Sequence, residues 1–342
     1  MRVCIYGAGA TGGHFAVRLA LAGHDVSVIA RGPHLDAIRK NGLTLRSGDD
    51  VLNAKVAASD NAKGLGAQDV VIVATKATAL PSIAPQVAPV IGRDTFVIFP
   101  QNGMPWWYPV GLSENLPKPP KLPLFELADI FLAAMRMEQV IGGSIYSANE
   151  VEVPGIVHNK SPEHNRLDIG AIAGNESDAV RDLRQAFEQA GILSPETDDI
   201  RTVIWRKLLT NMSGSALGLA TQSPSSAVQT DDGLKEIHRR ITREGLAIAE
   251  AHGYPLKEQP ATARKALLPR NHKPSLLQDY EQGRPMEIAE IVLAPVAFAR
   301  AANVATPTLD AIAAIVTKMA RDRRLVPETL RAPLLSLKPE AG

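Results

Sequence analysis

The 342-residue sequence predicts a Rossmann-like, doubly wound α/β N-terminal domain followed by a mainly α-helical C-terminal domain. Three observations lead there. Strand and helix patterns alternate through the first half. A glycine-rich turn separates the first strand from the first helix. Strand patterns cease after about Asp198, and helical periodicity then dominates to about Arg324. The chain is too long for one ordinary core, so the expected division is 1–197, 198–332 and a loose tail at 333–342.

Val3 to Tyr6 is a short apolar strand, Gly7 to Gly13 a turn, and His14 to Ala22 a helical pattern with Gly23 at its C-terminal end. Asp25 to Ala30 is a second strand rich in β-branched residues. Together they form one βαβ unit, whose strands should be parallel. Asp69 to Thr75 is apolar almost throughout, as a strand covered on both faces should be, and Thr95 to Pro100 leads into Gln101-Asn102-Gly103. No pattern is clear from Met104 to Val140. Strand-like residues return at Ile141 to Ile156 and at Arg166 to Ile169, and Ser177 to Ala190 reads as a helix. The clearest helices beyond are Ile200 to Leu219, Gly233 to His252, Met286 to Ala302 and Thr308 to Arg321, the last begun by Pro307.

Composition excludes several classes of function. The 37 basic and 36 acidic residues leave a net charge of +1, which gives no electrostatic case for nucleic acid or an anionic membrane. The hydrophobic fraction of 45% fits a globular enzyme rather than a disordered chain. The one cysteine, Cys4, sits in an apolar run and reads as a small buried hydrophobe. Neither a signal peptide nor a membrane-length apolar run is evident, so a cytoplasmic location is expected. The eight histidines show no metal-ligand spacing, and no metal is expected.

Gly7, Gly9 and Gly12 form G-x-G-x-x-G within Gly7-Ala8-Gly9-Ala10-Thr11-Gly12. The strand before it and the helix after it make it a dinucleotide-binding turn: Gly7 for the tight bend, Gly9 for close backbone approach to the pyrophosphate, Gly12 for helix–strand packing. The second strand ends Ile29-Ala30-Arg31 where an NAD enzyme would carry Asp or Glu. A guanidinium there suits a 2′-phosphate, so NADP(H) is the expected cofactor, the alternative being a solvated surface arginine. Lys76, after the strand ending at Thr75, is expected as a second cation near the phosphates or nicotinamide, the alternative being a lysine with no ligand role.

In the helical half, Lys207, Asn211 and Ser215 are spaced i, i+4, i+8 and are expected to share one helix face. A lysine among apolar neighbours can serve as a general acid for a carbonyl oxygen; it can equally snorkel over a helix surface. Pro274-Ser275-Leu276-Leu277-Gln278-Asp279 and Gly283-Arg284-Pro285-Met286-Glu287-Ile288 form a second cluster. Pro285 is expected in the first turn of a helix with Glu287 inside that turn. Standing alone, Ser275 would read as an N-cap and Glu287 as a partner of the helix dipole.

Taken together, GAGATGG, QNG at 101–103, WRKLLTN at 205–211 and PSLLQD with GRPMEI at 274–288 resemble the ketopantoate reductase (2-dehydropantoate 2-reductase) family, in order and approximate spacing over nearly the whole chain. The resemblance implies a 6-phosphogluconate-dehydrogenase-like fold, with the active site in a cleft between the domains. It implies Lys207 as general acid, Glu287 on the nascent hydroxyl, Ser275 on the substrate carboxylate, Asn102 near the nicotinamide and Lys207, Asn211 lining the pocket, and Arg31 on the 2′-phosphate. The activity so implied is NADPH-dependent reduction of a 2-keto acid to a 2-hydroxy acid, with ketopantoate to pantoate first. A reductase of another 2-keto acid and a non-catalytic NADP-binding sensor are the alternatives. The implied partner is a small keto acid, and a homodimer is a reasonable expectation. Departures from the family pattern surround the site: Ser215 where a second Asn is common, Ala216 for the usual Pro, His272 beside Asn271 where Asn is common, and the added Trp106-Trp107-Tyr108, expected to cap the pocket and select a different keto acid or to form a domain or subunit contact.

Overall fold

The β-branched runs of the N-terminal half become the middle of a seven-stranded sheet of order β11-β8-β7-β6-β1-β2-β5. Its strands are β1 (Arg2–Tyr6), β2 (Asp25–Ile29), β5 (Ala57–Ser59), β6 (Gln68–Val73), β7 (Ile91–Phe99), β8 (Val140–Ile145) and β11 (Leu167–Ala171). All pairings are parallel except that of β11 with β8. This computed structural model describes residues 1–174, 177–257 and 273–326. The chain resolves into two units: Met1–Gln101 with Leu127–Ile200, and Asn102–Glu126 with Arg201 and the residues after it. Residues 102–126, drawn within the first domain from the sequence, are thus grouped with the helices. Asn271, His272 and the tail at 333–342 lie outside the described residues.

Helix α1 (Ala10–Leu21) follows β1 and α2 (Gly32–Asn41) follows β2. A second sheet, unforeseen in the sequence, has the order β4-β3-β10-β9, from β3 (Leu43–Ser47), β4 (Asp50–Ala54), β9 (Asn149–Val153) and β10 (Ile156–Asn159). The strand-like run 141–156 is therefore broken into β8 and β9, and Pro154-Gly155 turns the chain back into β10. Helix α1 packs on β1 and β2 and also on strands of the second sheet. That explains its unbroken buried run from Gly12 to Val17, where a helix with one covered face would alternate. Even His14 is enclosed. Its Nδ1 faces the Asn159 amide at 3.2 Å, and burial pushes its pKa down to about 3, so it stays neutral.

The second unit is helical. Its longest elements are Ile200–Thr210, Asp232–Ala251 and Pro307–Asp322. The region predicted as one helix from Ile200 to Leu219 is interrupted by a π-turn at Asn211–Ser215. Small residues there and the Ser213 hydroxyl, which donates to Leu209 O at 2.7 Å, favour the wider turn. A second π-turn, Ala289–Leu293, precedes Pro295. Proline cannot donate to the carbonyl four residues back and its ring crowds it, so the backbone widens.

Trp106, Trp107 and Tyr108 are 0%, 0% and 1% exposed, and Trp107 and Tyr108 meet side chains of the second unit. Tyr108 meets Phe298 edge-on at 5.3 Å and accepts a 2.9 Å bond at Oη from Trp205 Nε1. Arg201 donates to the carbonyls of Tyr108 and Val110 and holds the segment in place. The expectation that these rings cap a substrate pocket is corrected: their large apolar area is already spent inside the core. Among the described residues no helix is long and apolar enough to cross a membrane, and no group of three potential ligands could hold a metal ion.

Candidate active site

The switch in strand order beside β1 puts the ends of β1, β2 and β6 around one crevice, where open α/β sheets bind their ligands. A pocket of about 400 Å³ opens there. It is lined by Gly7, Ala8 and Gly9 after β1, Ala30 and Arg31 after β2, and Thr75 after β6. Each glycine has a separate reason. Gly7 has φ +101, and a Cβ there would lie 2.5 Å from the Thr75 methyl. Gly9 faces open space, with nothing within 4 Å of where its Cβ would stand. A Cβ on Gly12 would lie 2.0 Å from Gly7 O and 2.9 Å from Ile5 Cγ2. Backbone cannot swing aside as a side chain can. Gly12→Ala is expected to cost about 1–3 kcal/mol of stability and to weaken NADPH binding at least tenfold, read from denaturant unfolding and a cofactor titration. Wild-type values for both would mean that the turn relaxes freely.

The amides of Gly7 and Ala8 both donate to Ile29 O, at 3.1 and 3.0 Å, and so lock the turn to β2. Gly9 caps α1 with no side chain on the helix end. The first-turn amides of Ala10, Thr11 and Gly12 have no acceptor within the helix, and with the helix dipole they suit a pyrophosphate. Arg31 is exposed at the pocket edge, as N-cap of α2. These features fit a dinucleotide. Lys76 is half-buried just after β6 and is not among the lining residues. His34, Asp60, Gln86, Val151 and Pro154 also line the pocket, and sequence reasoning missed them. Asp60 follows β5, a three-residue strand with no readable pattern, and Val151 and Pro154 come from the hairpin of the unforeseen sheet.

In the second unit, Lys207 is half-buried in the last turn of its helix and Asn211 opens the π-turn. The wider turn matters for their phase. Eight residues of α-helix make ~2.2 turns, so Ser215 would drift off the Lys207 face. A π-turn uses more residues per revolution and brings position i+8 back towards that face. Ser215 is buried. The π-turn packs against the helix Ser275–Glu281 and against the second π-turn. Ser275 is the first residue of its helix after Pro274, rather than the cap expected of a lone serine. Glu287 is not inside a first turn begun by Pro285. The helix starts at Ile288, and the Glu287 carbonyl accepts its opening bond from Ile291 N at 3.0 Å. The loop before it is held by Arg284, paired with buried Asp279, and by Met286 N–H donating to Leu325 O at 2.8 Å.

Asn102 joins this group through its neighbours. Met104 N–H donates to Glu290 O at 2.9 Å, and Gly103, at φ +82, lies so close that its Cβ would stand 2.6 Å from Glu290 Cβ. The packing therefore gathers the segments carrying Asn102, Lys207, Asn211, Ser275 and Glu287 around the two packed π-turns. Glu290 went unnoticed in the sequence. It is 3% exposed, and its Oε2 has no hydrogen-bond partner among the described residues. Burial first, and the nearby Glu287 charge second, push its pKa up to about 8. The legible signal was a second glutamate three residues after Glu287 in an otherwise apolar helix.

The sequence profile described as "Ketopantoate reductase PanE/ApbA" matches residues 3–174, and that of its C-terminal part matches residues 199–320. A 2-dehydropantoate 2-reductase of Mesorhizobium japonicum is 38% identical over 326 residues, covering 94% of this chain and 99% of its own. The crystal structure of a PanE/ApbA family ketopantoate reductase from Ralstonia eutropha JMP134 superposes with a TM-score of 0.78 at 27% identity, covering 95% of this chain and 100% of its own. A D-mandelate dehydrogenase solved with NADH and anilino(oxo)acetate shares the fold, at a TM-score of 0.80 and 21% identity, over 95% of this chain and 100% of its own.

Proposed function

Because this chain belongs to the ketopantoate reductase family of oxidoreductases, we propose that it reduces 2-dehydropantoate to pantoate with NADPH, the reductant that ketopantoate reductases use. Two observations together carry the proposal: Lys207, Asn211, Ser275, Glu287 and Asn102 gather within one unit, and the other unit has a dinucleotide pocket edged by Arg31. The cofactor supplies a hydride to the keto carbon. As the C=O π bond breaks, negative charge builds on oxygen. Lys207 gives a proton to that oxygen, and the neutral amine is reprotonated from solvent. Glu287 accepts a hydrogen bond from the new hydroxyl, and Ser275 donates to the substrate carboxylate. Asn102 and Asn211 orient the keto acid. Arg31 would hold the 2′-phosphate of the bound cofactor, and the amides at the start of α1 would hold its pyrophosphate. Lys76, which follows β6 but is not among the lining residues, would act on the dinucleotide at most through its charge.

The test follows NADPH oxidation by the purified protein with ketopantoate beside a panel of other 2-keto acids. The expected result is the highest kcat/KM for ketopantoate, with NADPH preferred to NADH. Faster turnover of another keto acid would keep the chemistry and move the substrate, pointing to Ser215, which stands where the family pattern has asparagine. NADPH binding without turnover of any keto acid would leave a sensor.

A further inference from the structure

The pocket after β1 has one wall that no dinucleotide motif in the sequence foretells. Val151 and Pro154 line it, and both belong to the β9–β10 hairpin of the second sheet. Gly155 closes that hairpin with φ +83, and its carbonyl accepts from Thr44 N at 2.9 Å. Opposite stands His34, in the first turn of α2, three residues after Arg31. Its Nε2 lies 2.7 Å from Ala8 O, and Gly155 N–H donates to its Nδ1 at 3.0 Å.

The two backbone partners decide the tautomer. A carbonyl oxygen only accepts, so Nε2 carries the proton. An amide N–H only donates, so Nδ1 offers its lone pair. A ring protonated on both nitrogens cannot keep the Gly155 bond. Resting on the cofactor reading above, we propose that His34, as the neutral Nε2–H tautomer, is a positioning residue for the dinucleotide: it clamps the glycine turn to the Pro154–Gly155 turn and makes the second sheet a wall of the phosphate pocket. The amides of Gly7 and Ala8 fix that turn to β2, and His34 fixes the Ala8 carbonyl from the other side. A turn held in place before binding loses less freedom when the phosphates arrive, so the clamp acts on affinity rather than on the hydride step.

Two measurements test it. The first is a titration of His34→Ala and His34→Gln with NADPH and NADH, read by nicotinamide fluorescence, beside kcat at saturating cofactor. His34→Ala should raise the Kd of both cofactors ~10–50-fold, the loss expected for two hydrogen bonds, with kcat within about twofold. His34→Gln should restore affinity to within ~3-fold, because its amide can donate to Ala8 O and accept from Gly155 N–H. An alanine variant that binds as wild type overturns the clamp. So does a loss confined to NADPH, which would make His34 a reader of the 2′-phosphate. The second measurement is imidazole ¹⁵N NMR of the cofactor-free protein, where the Nε2–H tautomer is expected. The Nδ1–H tautomer or an imidazolium overturns the clamp even if the unmodified protein fails to bind NADPH, a failure that would sink the cofactor reading itself.

Discussion

Replacing Lys207 with alanine is expected to lower kcat for 2-keto acid reduction by ~10²–10⁴, the usual range for a positioned proton donor. The unassisted reaction would place a full negative charge on the keto oxygen. In a site sheltered from water that charge is costly, and the ammonium both offsets it and supplies the proton. Cofactor affinity should stay within about twofold, since no residue of the Lys207 helix lines the dinucleotide pocket. Lys207→Arg should recover little. A guanidinium keeps the charge but does not give up a proton at working pH, and its fork reaches differently. Thermal unfolding guards against a trivial cause: the half-buried side chain leaves the helix, so the melting temperature should shift by only a few degrees. Near-wild-type kcat in the alanine variant would remove Lys207 from the chemistry.

Glu290 should dominate the pH dependence of stability in the second unit. Its folded pKa is raised to about 8 from an ordinary 4.5. Between those values the folded protein holds a proton that the unfolded chain has released. Stability therefore falls as pH rises through that window and levels off above it, by about 1.4 kcal/mol per pH unit at most. Glu290→Gln keeps a neutral group of the same shape and has no proton to lose. The variant should match wild type near pH 4.5 and gain on it steadily towards pH 8, where the difference reaches a few kcal/mol. Denaturant unfolding at several pH values reads this directly. Parallel curves for the two proteins would mean that Glu290 is ionised when folded, with a cation or water satisfying its Oε2.

Much of the molecule was legible because its signals are local. The βαβ unit from Val3 to Ala30 announces itself through β-branched runs and glycine spacing, and it recurs in β1, α1 and β2. The pocket residues Gly7, Ala8, Gly9 and Arg31 follow from the same few residues. The cluster Lys207, Asn211, Ser275 and Glu287 was legible as motifs, since each lies within a few residues of its own punctuation. The failures are of another kind. Strands β3, β4, β9 and β10 are short and polar on one face; β3–β4 and β9–β10 are local hairpins, but β10 joins β3 across more than a hundred residues, so no window of sequence contains both halves of the sheet. For the same reason nothing marked His34 as a link to Gly155. Trp106, Trp107 and Tyr108 announce a large apolar area but not its destination, which Arg201, Trp205 and Phe298 decide. The π-turns depend on backbone accommodation of Pro295 and of small residues, which a helical period cannot register. Sequence alone determined the βαβ core, the helical second half and the residue types at both candidate sites, because turn chemistry and periodicity act over a few residues. Tertiary packing alone decided which distant segments meet, which polar groups are buried, and that burial raises the pKa of Glu290, because those depend on the dielectric and contacts that long-range folding creates.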